Sequence, residues 1–179
     1  MIKLNADEEK LSASNLVIYY CWANELDEKF IRQLIKKSRQ AHILQFEREE
    51  DTEGRFKDLD SYKIWAKKNR LVYLLVDEAA LPDENLAGII WFGKRRNEQI
   101  NSKYCLTFGI RLYEGYVGKG LSKPLMRPTH EDAREKFKDC RYIWLDFDKE
   151  NIAANRAYES FGYKTIKTAG QRTIMAKKL

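Results

Sequence analysis

Three glycines fall between a run of strand-forming residues and a helical segment, and this junction constrains the chain more than any other feature. Residues Tyr104 to Leu112 are rich in β-formers; Gly115, Gly118 and Gly120 follow, and a helical segment opens near Ser122. Glycines placed there let the backbone take left-handed conformations and come close to a ligand. The first turn of a helix leaves N–H groups without intrahelical partners, at the positive end of the helix dipole. From Gly115 to Met126 there is no carboxylate, while Lys119 and Lys123 add positive charge. A strand, a glycine loop and a helix in this order belong to an α/β (α+β) architecture, and the natural guest of the loop is a phosphate or pyrophosphate.

Two familiar phosphate loops fail on this segment. The nucleoside-triphosphate loop needs G-x-x-x-x-G-K-[ST]; Gly115 and Gly120 have the spacing, but Leu121 stands where the lysine must be. The dinucleotide fingerprint G-x-G-x-x-G starts at Gly118 and Gly120 and then meets Lys123 in place of its third glycine.

A second segment narrows the choice. After the apolar run Tyr142 to Leu145 comes a helical stretch in which Asn151, Ala154 and Tyr158 recur at i, i+3 and i+7, so they share one face. Gly162 then stands where a left-handed C-terminal cap is wanted. An amide, a small residue and a phenol along one face form a wall that a ligand can slide past, where an ordinary core face would carry leucine and isoleucine. Asn151 alone reads as a helix cap, and Tyr158 alone as an amphipathic core residue; the upstream cradle is what turns both towards a ligand.

Together the two segments resemble the GNAT acyl-CoA N-acyltransferase family. Its pyrophosphate loop, R/Q-x-x-G-x-G/A, falls on Val117, Gly118, Lys119, Gly120, Leu121 and Ser122, with Val117 in place of Arg or Gln and Ser122 in place of Gly or Ala. The downstream pattern N-x-x-A-x-x-x-Y-x-x-x-G-F/Y falls on Asn151, Ala154, Tyr158, Gly162 and Tyr163 with every spacing kept. The resemblance covers Ala87 to Tyr163. It implies a mixed, mostly antiparallel central sheet of six to seven strands flanked by helices, whose two central strands splay to admit an acyl-pantetheine arm.

The order of elements agrees with that fold. Leu16 to Trp22 reads as a strand, and Asp27 to Phe46 as helical through Phe30, Ile31, Leu34, Ile35, Ile43 and Leu44. After the polar stretch from Glu47 to Asp60 comes a helical segment near Tyr62. Leu71 to Val76 and Leu86 to Phe92 form a hairpin across Pro82 to Asn85. Beyond the cradle, Pro124 and Pro128 predict a kink or break near Arg127. Arg141 to Phe147, the Tyr158 helix, and the strands Tyr163 to Lys167 and Arg172 to Ala176 close the chain.

Composition fits one domain spanning residues 1–179: 44% hydrophobic content in 179 residues is enough for one sizeable core. The longest apolar run, Leu16 to Ala23, is far too short to span a bilayer, and the N-terminal residues lack a secretory hydrophobic region. Cys21, Cys105 and Cys140, odd in number and widely spaced, build no zinc or redox motif and read as buried free thiols of a reducing cytoplasm. The net charge of +6 raises nucleic acid as a partner, but basic and acidic residues alternate along most segments, and no RNA-binding motif or basic face emerges. A nucleic-acid-binding α/β domain therefore ranks last.

The resemblance also implies the chemistry. Acetyl-CoA is the co-substrate, no metal is required, and an acetyl group passes to a primary amine by direct attack. Tyr158 matches the family's general acid, which gives a proton to the coenzyme A thiolate. Splayed-strand amides near Ile110 and Leu112 face the developing oxyanion. Gly118, Lys119, Gly120, Leu121, Ser122 and Lys123, with Val117, Asn151, Ala154 and Tyr158, form the coenzyme-binding set. A free alkylamine has a pKa near ~10.4, so a base is useful. Asp146, five residues before Asn151, stands where ribosomal-protein N-terminal alanine acetyltransferases carry a catalytic glutamate. It is equally well read as a solvated acid at a strand end. Glu114 is a reserve candidate, His130 is expected to be exposed, and His42 part of a helix face. The acidic run Glu47 to Glu53 suggests steering of a cationic amine. The alternative reading is a coenzyme-A-binding sensor or degenerate relative, motivated by Val117 and by the absence of an acid in Tyr104 to Leu112. A homodimer is left open.

Overall fold

The computed structural model describes residues 1–4, 11, 14–48, 51 and 54–179. Its strands are β1 (Ile2–Lys3), β2 (Leu16–Trp22), β3 (Leu71–Asp77), β4 (Leu86–Lys94), β5 (Leu106–Leu112), β6 (Tyr142–Asp148), β7 (Lys164–Ala169) and β8 (Arg172–Lys178). They form one eight-stranded sheet in the order β1-β2-β3-β4-β5-β6-β8-β7. Every neighbouring pair is antiparallel except β5 and β6. The α-helices bounded within the described residues are α1 (Glu28–Lys37), α2 (Ala41–Leu44), α3 (Leu59–Ala66), α4 (Ser122–Lys136) and α5 (Ile152–Ser160).

The sheet is one strand wider than the sequence suggests, because Ile2 and Lys3 add to β2 opposite Tyr20 and Tyr19. Two residues are too few for a periodicity to be seen. The predicted helix from Asp27 to Phe46 divides in two, since its apolar spacing lapses over Ser38, Arg39 and Gln40. Ser38 caps α1, and Gln40 precedes α2.

β3 and β4 are buried on both faces, which is why their sequences are continuously apolar rather than alternating. One face packs α4 and α5 through Phe92, Phe108, Leu125, Met126, Leu145 and Phe147. The other packs α1 and α3 through Phe30, Leu34, Tyr62, Trp65, Ile89 and Trp91. Side-chain alternation along β5 and β6 decides what each face sees. Phe108, Leu145 and Phe147 lie on the α5 side, and Gly109, Arg111 and Asp146 point the opposite way.

Three expectations are corrected. α4 runs unbroken from Ser122 to Lys136 with Pro128 inside it. Pro124 sits in the first turn, where no N–H bond is needed. Near Pro128 the Thr129 hydroxyl donates to the Leu125 and Met126 carbonyls at 2.8 and 3.1 Å. His130 is buried rather than exposed, because the inward stripe of α4 is Leu125, Met126, Thr129, His130 and Ala133. Its Nδ1–H donates to the Met126 carbonyl and its Nε2 accepts from the Tyr163 hydroxyl, both at 2.7 Å. Burial pushes its pKa down to about 3, so the ring is neutral. Cys105 and Cys140 are joined in a disulfide, with Cα atoms 6.0 Å apart, and only Cys21 is a free thiol. The two cysteines precede the paired ends of β5 and β6, so the parallel ladder brings them side by side; wide sequence spacing conceals this. No described helix is long and apolar enough to cross a membrane.

Candidate active site

β5 and β6 part company almost at once. They pair only at Leu106↔Ile143 and Thr107↔Trp144, although each strand is seven residues long. β5 stays with β4 as far as Leu112, and β6 stays with β8 as far as Asp148, so each is held by its own half of the sheet. The bonding phase on β5 is set by two backbone bonds to the β4 side, Tyr113 N–H to Ala87 O at 3.0 Å and Arg95 N–H to Cys105 O at 2.9 Å. Antiparallel alternation then turns the peptide groups of Phe108, Ile110 and Leu112 towards the gap. Inside the gap, His42 Nε2–H donates to the Leu112 carbonyl at 3.1 Å. His42 thus reaches the site from α2.

The gap is part of a cavity of about 530 Å³, within the range of ligand sites. At one end lie Val117, Gly118, Gly120 and Ser122. Gly115, Gly118 and Gly120 all have left-handed φ, +85°, +77° and +68°. A Cβ on Gly118 would meet nothing within 4 Å, so the side facing the ligand is clear. Leu121 caps α4 without any side-chain hydrogen bond, which leaves the first-turn amides for an external acceptor. The Leu121 side chain itself is buried in the core and ties the loop down. Lys119 and Lys123 are exposed and stand outside the cavity lining, with the Lys119 ammonium 5.4 Å above the Tyr116 ring.

α5 presents Asn151, Ala154 and Tyr158 to the cavity from one face. Asn151 caps the helix, its side chain accepting from Ala154 N–H at 3.0 Å. At the far end Tyr163 N–H bonds to Tyr158 O and Gly162 N–H to Glu159 O, with Gly162 at φ +92°. That is the two-bond glycine stop known as the Schellman motif, and it holds the last turn around Tyr158. The Tyr158 ring is wedged edge-on between Phe108, Phe147 and Tyr163, at 5.9, 5.3 and 6.0 Å. Its hydroxyl has no hydrogen-bond partner among the described residues. Burial pushes its pKa well up, Glu47 adds to this, and Arg172 opposes it. The phenol therefore carries its proton at neutral pH.

The other end of the cavity lies on the α1–α3 face. Asp146 is half-buried: its Oδ2 accepts from Arg48 at 2.7 Å and its Oδ1 from Arg172. Arg172 also reaches the Phe46 carbonyl at 3.3 Å, so one carboxylate links β6, β8 and the segment after α2. Glu47 pairs with Arg111 at 2.9 Å, and Asp51 with Arg55. The charges of Glu47 and Asp51 are thus paired with arginines of the same chain. Glu49, Glu50, Thr52 and Glu53, the rest of the acidic run, lie outside the described residues. Trp91 lies across Gly109 on this face, with Arg55 and Arg111 each 5.6 Å from its ring.

The family model of the GNAT acetyltransferases matches residues 30–163. The chain belongs to the GNAT family. No curated protein matches it in sequence. Among solved structures, a GNAT acetyltransferase from Listeria monocytogenes 4b F2365 superposes with a TM-score of 0.64 at 18% identity, over 99% of each chain. AAC(6')-Ib in complex with ribostamycin and coenzyme A gives 0.67 at 18% identity, over 90% of this chain and 93% of that one. The Campylobacter jejuni N-acetyltransferase PseH in complex with acetyl coenzyme A gives 0.58 at 19% identity, over 90% and 98%. These likenesses show the shared GNAT fold.

Several residues lining this GNAT cavity escaped the sequence reading: His42, Trp91, Arg70, Arg95 and Arg172. Gly109 inside a strand pattern was the available signal for Trp91, since a strand glycine often marks a close neighbour. For the arginines no local signal exists, because they come from separate elements that only the fold brings together. Glu114 is exposed, its N–H bonded to Gln40 at 3.0 Å. Among the described residues, no group of three or more His, Cys, Asp or Glu side chains could hold a metal.

Proposed function

We propose that this chain transfers an acetyl group from acetyl-CoA to a primary amine, within the gap between β5 and β6. The observation that carries the reading is the early end of the β5–β6 ladder, bordered by the glycine loop and by the unpaired hydroxyl of Tyr158. The bound thioester supplies an activated acetyl group. Amides of Gly118, Gly120 and Ser122 cradle the pyrophosphate, Asn151 and Ala154 flank the pantetheine arm, and Val117 contributes only apolar cover. The Ile110 and Leu112 amides face the place where negative charge develops on the carbonyl oxygen.

The neutral amine forms the new N–C bond as the C–S bond breaks. The Tyr158 hydroxyl gives its proton to the leaving sulfur and is reprotonated from solvent. The proton lost by the amine passes through water to the lone pairs of Asp146 that Arg48 and Arg172 leave open. Calorimetry with acetyl-CoA followed by thiol release over a panel of amines tests the reading. Binding together with amine-dependent turnover supports it. Binding without turnover on any amine would instead support the coenzyme-sensing alternative.

A further inference from the structure

The acceptor end of the cavity is richer in positive charge than its own acids can balance. Six arginines and four carboxylates line the cavity. Arg48 and Arg172 engage Asp146, Arg111 engages Glu47, and Arg55 engages Asp51. Arg70 and Arg95 have no carboxylate partner among the described residues. Arg70 lies flat along Gly93, with its guanidinium 5.1 Å from the Trp65 ring. Its Nε is buried and makes no hydrogen bond. Arg95 sits at the end of β4 beside the Trp144 ring, 6.0 Å away, while its carbonyl accepts from the Trp144 indole N–H at 3.1 Å.

An unpaired, desolvated guanidinium is costly, and like charges nearby raise the cost. Burial and the neighbouring Arg55 and Arg95 depress the pKa of Arg70 to about 10. Asp51, already engaged by Arg55, offsets this only in part. Trp91 and Trp144 line the same cavity and give it an apolar wall beside these cations. We infer that the acceptor is an amine that also carries a carboxylate or phosphate, which Arg70 and Arg95 grip while Trp91 and Trp144 flank its body. This deepens the acetyl-transfer reading and rests on it. It opposes a polycationic acceptor, which would meet the arginine excess.

The test is a thiol-release assay on matched amines that differ only in the anion: phenylalanine against phenylalaninamide, and glucosamine 6-phosphate against glucosamine. The amide's amine is the less basic of its pair and more readily neutral, which biases the first comparison against the proposal. The two pairs separate carboxylate from phosphate. The wild-type protein is expected to favour at least one anionic member by about tenfold or more in kcat/KM. In Arg70→Gln that ratio should fall to near one. Arg95→Gln, at an exposed position, provides the same readout should loss of the Trp65 contact unfold the first variant. Benzoate and phenyl phosphate, titrated calorimetrically into protein without coenzyme, check the anion grip directly. At least one should bind the wild type and be lost in the variants. Preference for the neutral members, or for spermidine or kanamycin, would overturn the acceptor class while leaving acetyl transfer standing. Failure of acetyl-CoA to bind, or of every amine to release thiol, would sink the acetyl-transfer reading, and the acceptor proposal with it.

Discussion

Gly109→Ala separates the two ends of the cavity. Gly109 does not have a left-handed φ, so alanine carries no backbone penalty there and its cost is steric. A Cβ would stand 2.2 Å from Trp91 Cζ2, 2.6 Å from Cε2 and 2.8 Å from Cη2. Those contacts are far inside van der Waals distance, and the indole has little room to retreat. Trp91 is 5% exposed and is met edge-on by Trp65 and Phe56, each 5.9 Å away between ring centres. The open direction is the cavity, towards Arg55 and Arg111. Overpacking of this kind costs about 1–3 kcal/mol. Urea unfolding should therefore show a lower midpoint with an unchanged slope. The displaced indole should fill the acceptor end, so the KM for the amine rises, while acetyl-CoA affinity by calorimetry stays near the wild-type value. A variant as stable as the wild type would refute the packing argument. A variant that lost the coenzyme but kept its acceptor KM would refute the division of the cavity.

The other predictions concern single groups. Gly118→Ala should weaken acetyl-CoA binding at least tenfold by calorimetry, because its φ of +77° costs an L-residue roughly 1–2 kcal/mol and its methyl enters the cradle. Asp146→Asn should lower kcat/KM for the amine by about 10²-fold in steady-state thiol release with the coenzyme dissociation constant retained; an unchanged value would remove Asp146 from the proton path. His130 is held neutral in the fold, with its pKa near 3, against about 6.5 for a free histidine. The unfolded chain therefore binds the extra proton between these values. The stability contributed by His130 is complete above about pH 6.5 and is lost on acidification towards pH 3, by up to about 1.4 kcal/mol per pH unit. Urea melts at pH 4 to 7 should show a shallower acid slope in His130→Asn than in the wild type; identical slopes would contradict the buried neutral ring.

Much of the fold was legible because its signals are local. The apolar runs Leu71–Val76 and Leu86–Phe92, the spacing of Asn151, Ala154 and Tyr158, and the stop at Gly162 each depend on a few neighbouring residues. What the sequence hid depends on tertiary neighbours. His130 looks polar and surface-like until the inward stripe of α4 is seen to pass through it. Pro128 looks like a helix breaker until side chains nearby are found bonding the carbonyls around it. Cys105 and Cys140 are adjacent only because β5 and β6 begin in parallel. On the coenzyme side, the glycine loop is one contiguous stretch and could be read directly. On the acceptor side, Trp91, Asp146 and Arg172 come from three strands, Arg70 from just before β3 and Arg95 from just after β4, and only the folded sheet assembles them.

The decisive measurement pairs calorimetry with turnover in Tyr158→Phe. This change removes one hydroxyl from a ring whose packing against Phe108, Phe147 and Tyr163 is otherwise kept. If the hydroxyl protonates the departing thiolate, acetyl-CoA should bind as it does to the wild type, and kcat should fall by about 10²- to 10⁴-fold. A variant that binds the coenzyme and turns over at the wild-type rate would contradict the account at its centre.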